Sequence, residues 1–90
     1  MTPDQAQVLA LRVLAHMAGD ERALAGFLAQ SGMDRDSLMQ SANDPETLAG
    51  ALDYLLADER LLLAFCEAEA VPPETPARAR AALPGANPEW

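Results

Sequence analysis

Helix-start signals recur along this chain at short intervals, and they leave room for little except short helices. Thr2-Pro3-Asp4-Gln5 opens the first. Thr2 can accept from free backbone N–H groups, Pro3 suits the first helical turn, and Gln5 completes a capping box. Asp20, Asp34, Asp44 and Asp58 follow as further caps, with Pro45 directly after Asp44. Gly19 and Gly32 supply stops. Val71-Pro72-Pro73 ends the last long apolar stretch, because proline cannot continue a helix. Composition agrees: 19 Ala and 14 Leu stand against three Val and no Ile in 90 residues. Strong helix formers abound and β-branched strand formers are scarce.

The spacing predicts a first helix over 3–18, a second over 21–30, a short third after Asp34, a fourth from Pro45, a fifth after Asp58 and a last short helix over 73–83. The fourth and fifth also read as one bent helix, since Ala57-Asp58-Glu59 holds neither Gly nor Pro. Arg78 and Arg80 at the tail of the last helix, and Glu74 at its head, suit the helix dipole. The first helix carries two apolar stripes, Val8-Leu11-Ala15-Ala18 and Leu9-Val13-Met17, as a helix central in its bundle would. Met33 is placed to staple onto Leu38, and Leu38, Met39 and Ala42 form the apolar face of the third helix. The expectation is a single all-α domain over 1–83, a compact bundle of five or six short helices, with 84–90 as a tail ending in Trp90. Its core should be led by Leu11, Leu14, Leu24, Phe27, Leu48, Leu52, Leu55, Leu62 and Phe65.

The chain also echoes itself. Gly19-Asp20-Glu21-Arg22-Ala23-Leu24 resembles Ala57-Asp58-Glu59-Arg60-Leu61-Leu62, 38 positions on. The same offset takes Leu14 to Leu52, Phe27 to Phe65, Met33 to Val71 and Asp36 to Glu74. Two pseudo-repeated three-helix halves would explain this, and so would the general likeness of capped amphipathic helices in an Ala/Leu-rich chain.

Charge and cysteine usage exclude more than they assign. Fourteen acids against six Arg, with no Lys, give a net charge of −8, which opposes nucleic acid and anionic membranes. The acids are spread over both halves and many stand at helix starts, so the first reading is a solvated surface, ahead of steering toward a basic partner. Cys66 is the lone cysteine: it permits no intrachain disulfide and suits a buried thiol in a reducing, cytoplasmic setting. No apolar run approaches the ~20 residues of a membrane span, and no signal peptide opens the chain.

With the segments in place, a family is recognisable. Leu55-Leu56-Ala57-Asp58-Glu59-Arg60-Leu61-Leu62-Leu63-Ala64-Phe65-Cys66 is its most distinctive run, followed by a proline-led helix ending Ala77-Arg78-Ala79-Arg80-Ala81-Ala82-Leu83-Pro84-Gly85. Upstream, Ala15-His16-Met17-Ala18-Gly19-Asp20-Glu21-Arg22 and Phe27-Leu28-Ala29-Gln30-Ser31-Gly32-Met33-Asp34 belong to the same pattern. Together they resemble domain-of-unknown-function family thirty-five seventy-two, a small bacterial cytoplasmic family. The resemblance covers nearly the whole chain, but its motifs are helix-packing patterns and carry no activity. The family's genes often lie beside a response-regulator gene, so the resemblance implies a signalling-related protein partner.

Candidate chemistry is sparse. Asp36-Ser37-Leu38 resembles the phosphopantetheine-bearing motif of acyl carrier proteins, which are small, acidic and helical. Carriers, however, place it one residue after a Gly and open a long helix with it, whereas Gly32 is farther back and Asn43-Asp44-Pro45 follows within about two turns. Asp36 and Ser37 read first as first-turn residues near the cap Asp34. His16 lacks a recognisable nucleophile or orienting carboxylate and reads as a boundary residue. A helix-turn-helix regulator is the remaining alternative, but its candidate second helices carry only Arg22 or Arg60. No catalytic, cofactor or metal residue is assigned. Leu61-Leu62-Leu63-Ala64-Phe65-Cys66 covers more than one helix face. Either this helix is central and buried, or it lies at the bundle edge and Leu63, with Tyr54 and Leu56 of the fourth helix, forms a surface for self- or partner-contact. The expected function is a noncatalytic protein-interaction or adaptor module.

Overall fold

The computed structural model describes residues 1–83; the expectations about the tail 84–90 and Trp90 lie outside the described residues. Six helices follow in order: α1 (Pro3–Ala18), α2 (Glu21–Ser31), α3 (Arg35–Gln40), α4 (Pro45–Ala57), α5 (Glu59–Glu69) and α6 (Thr75–Ala82). No strand occurs among the described residues.

The caps act much as their residue types require. Gln5 N–H donates to Thr2 Oγ1 at 3.1 Å and Thr2 N–H returns the bond to Gln5 Oε1 at 3.0 Å, closing the capping box. Asp20, Asp34 and Asp58 each accept from backbone N–H groups of the helix they open. Asp58 also closes α4: its extended backbone (φ −122°, ψ 98°) breaks the chain into two helices without Gly or Pro. Asp44 differs. Its side chain makes no capping bond, and Pro45 with the Asp44 carbonyl starts α4 instead. The last helix begins two residues later than expected, because Pro72 to Glu74 form a turn and Pro76 takes an early helical position.

Packing centres on α1 and α4, with α6 laid against both, α2 on α1 and α5 on α4. Val13, Met17, Leu48, Leu52, Leu55, Phe65 and Pro76 are the largest fully buried side chains. Ala6, Ala10, Ala51 and Ala79 are also wholly buried, and such small side chains let helices approach closely. Seven of the nine expected core leaders are buried: Leu14, Leu24, Phe27, Leu48, Leu52, Leu55 and Phe65. Leu62 is half-buried at the core's edge. Leu11 is a correction, at 39% exposed. Only the Leu9-Val13-Met17 stripe of α1 faces the core; Val8, Leu11, Ala15 and Ala18 are exposed. Met39, expected on the inner face of α3, is also exposed, leaving Leu38 as that helix's one buried residue.

The internal echo extends to backbone conformation. Helix lengths run long, medium, short twice over. α2 ends at Gly32 with φ 77°, and α5 ends at Ala70, 38 positions later, with φ 55°. Both are left-handed, and Ala70 is the single non-glycine residue with positive φ among those described. The likeness breaks at the third helices: α6 lies between α1 and α4, whereas α3 stays peripheral.

Candidate functional site

Asp20 and Asp58 hold the N-terminal turns of α2 and α5. The Asp20 carboxylate accepts from Arg22 N–H at 3.1 Å and Ala23 N–H at 3.2 Å; Asp58 accepts from Leu61 N–H at 3.2 Å. Each cap thereby places an arginine two residues later, in the first helical turn. The two turns face one open cleft of about 550 Å³, lined by Asp20, Arg22, Ala23, Asp58, Arg60 and Leu61, together with Tyr54 and Ala64. The segments related by the 38-residue offset therefore meet in space.

Tyr54 comes from the flank of α4. Its ring stands edge-on to Phe27, centroids 5.8 Å apart and planes at 70°. Its hydroxyl lies over Gly26, where an added methyl group would collide with it, so the missing side chain at Gly26 is what lets the phenol sit there. Beyond the ring is a smaller hollow of about 190 Å³, bordered by Phe27, Gln30, Ser31, Gly50 and Asp53 as well as Tyr54.

The charges around the cleft are uneven in their engagement. Arg12 pairs with Glu69 at 3.2 Å and Arg80 with Asp53 at 2.7 Å, both across helices. Arg22 and Arg60 are exposed and make no ion pair among the described residues. The two carboxylates beside them are held by helix N-termini, whose partial positive charge offsets part of theirs.

Leu63, Leu56 and Tyr54 differ in exposure and placement. Leu63 is 49% exposed on the outer surface of α5, three residues from Arg60. α5 is thus an edge helix, burying Leu61, Phe65 and Cys66 and turning Leu63 outward. Tyr54 and Leu56 are both half-buried, but at about 100° per residue they lie on opposite flanks of α4. Tyr54 belongs to the cleft. Ser37 stands in the first turn of the six-residue α3, where its N–H donates to Asp34 at 2.7 Å. That bond, with the Ser37 hydroxyl, holds the Asp34 carboxyl below the usual carboxylate range. His16 packs edge-on against Phe65, centroids 5.6 Å apart. Cys66 is buried with its thiol 3.8 Å from the Pro72 carbonyl, and burial pushes its pKa up, with Glu74 adding to the shift. Among the described residues, no group of three or more His, Cys, Asp or Glu is placed to hold a metal ion, and no helix is long and apolar enough to cross a membrane.

Reading the sequence singled out Arg22 and Arg60 only as isolated basic residues of separate helices. Tertiary packing brings both to the lining of one cleft.

No curated protein and no solved structure matches the chain. Residues 3–86 match the family described as protein of unknown function (DUF3572), in agreement with the resemblance read from the helix motifs. The match spans nearly the whole chain, and by it the protein belongs to the DUF3572 family.

Proposed function

We propose that this chain is a noncatalytic protein-interaction module of adaptor type that uses the outer face of α5. The observation that carries this reading is Leu63, a large apolar side chain 49% exposed on an edge helix whose inner face is already occupied by the core. An outward leucine there gains free energy when a partner covers it, since apolar surface removed from water is worth roughly 25 cal/mol per Å².

The experiment is site-specific photo-crosslinking in bacterial cells that normally make the protein, with the photoreactive residue at Leu63 and a control at exposed Gln40 of α3. A discrete product at Leu63, absent at Gln40, supports the reading. Its mass separates a second copy of this chain from a different protein. Equal labelling at both positions, or none at Leu63, refutes it.

A further inference from the structure

We infer that the cleft between α2 and α5 is a binding site for a phosphomonoester carried on an apolar body. This is a site distinct from the Leu63 face and does not depend on it. Three observations converge. Arg22 and Arg60 line one opening from two different helices and are engaged in no ion pair among the described residues. Tyr54 adds a phenol between them and the smaller hollow, with its hydroxyl over Gly26. Ala23, Leu61 and Ala64 supply an apolar wall.

The number and kind of donors select the ligand. A guanidinium presents a planar fork that takes two oxygens of a carboxylate or phosphate. A single carboxylate has two oxygens and only one negative charge to share between two forks. A phosphomonoester has three terminal oxygens and close to two negative charges at neutral pH, so it can occupy two forks at once. Charge points the same way. Asp20 and Asp58 also line the cleft and repel any anion. Their carboxylates are bound to their own helix N-termini, which offset part of that repulsion, and a dianion recovers more from two arginines than a monoanion does. The apolar wall and the aromatic edge favour an organic phosphate over the bare ion.

The single tyrosine makes the test direct. With 3-fluorotyrosine incorporated, the single fluorine resonance comes from position 54, and the amides of Arg22 and Arg60 tell binding in the cleft from binding in the smaller hollow. Phenyl phosphate, a phosphoserine peptide and benzoate are titrated separately into the full chain, following that resonance and the backbone amides of Arg22 and Arg60. Saturable shifts are expected with both phosphates, and the tighter of the two identifies whether the carrier is a small molecule or a polypeptide. Arg22→Gln and Arg60→Gln should each weaken binding by about tenfold or more, the scale of one charge-assisted hydrogen bond. Both positions are exposed, so the fold survives, and Arg35→Gln on α3 should leave binding unchanged. Non-saturating shifts, benzoate binding as tightly as the phosphates, or full binding by the Arg22→Gln/Arg60→Gln double variant would overturn the assignment.

Discussion

Gly32 and Ala70 invite a paired experiment, because the two halves of the chain solve the same problem with different residues. Each closes a medium helix in the left-handed region, at φ 77° and φ 55°. Glycine adopts that conformation freely, whereas an L-residue with a Cβ pays roughly 1–2 kcal/mol. Against this, glycine loses more backbone freedom on folding than alanine, a difference of about 0.4–1 kcal/mol. The surroundings contribute little at either site. Both residues are exposed, and a methyl group added at Gly32 would meet nothing within 4 Å. The balance is therefore set by backbone strain. Ala70→Gly should stabilise the protein by about 0.5–1 kcal/mol, and Gly32→Ala should destabilise it by about the same. In a domain of this size that is a change in Tm of roughly 2–8 °C, of opposite sign in the two variants. The assay is urea and thermal unfolding followed by far-UV circular dichroism. The double variant should return close to the parent, since the changes lie at the ends of different helices. If Ala70→Gly lowers the urea midpoint, or Gly32→Ala leaves it unmoved, left-handed strain does not govern these helix ends and the reasoning fails.

Other outcomes follow from packing, capping and titration. Leu52 is fully buried between the central helices, so Leu52→Ala should cost ~2–5 kcal/mol in chemical denaturation; an unchanged midpoint would remove it from the core. Asp58→Ala removes a capping bond and should cost about 1 kcal/mol, while Asp44→Ala, with no side-chain bond to lose, should cost clearly less, and equal losses would contradict the capping assignment. The Asp34 carboxyl is held low mainly by the Ser37 N–H, so its contribution is present above the ordinary aspartate pKa and is lost as pH falls through the lowered folded value. Asp34→Asn should accordingly flatten the acid limb of stability against pH below about 4, and an unaltered limb would show that Asp34 does not contribute to it.

Local signals were legible in the sequence wherever one residue type has one physical role. Thr2-Pro3-Asp4-Gln5 became a closed capping box, and Asp20, Asp34 and Asp58 became caps, because a short acceptor before an apolar run has few better uses. The division at Asp58 was open in the sequence, which also allowed one bent helix, and the extended backbone of Asp58 decides it. What stayed hidden depended on neighbours. α1 offers two apolar stripes, and only the arrival of α4 and α6 on one side decides that Leu9 and Val13 are buried while Val8 and Leu11 are not. Asp44 makes no side-chain cap although Pro45 follows it as Pro3 follows Thr2, so the residue type alone did not decide that bond. The cleft was not legible: that the two similar turns line one opening follows from tertiary packing alone.

The position of α6 bears on how the chain reaches its native state. It is made last among the described helices, yet it covers the seam between α1, the first, and α4. Its pairing with α1 spans nearly the whole described chain, so the loop entropy must be met before those contacts are rewarded. During synthesis α1 and α4 emerge before the helix that covers their seam. The seam between α1 and α4 consequently stays open until α6 has been made, and that interval is when it is accessible to chaperones or to a second nascent copy.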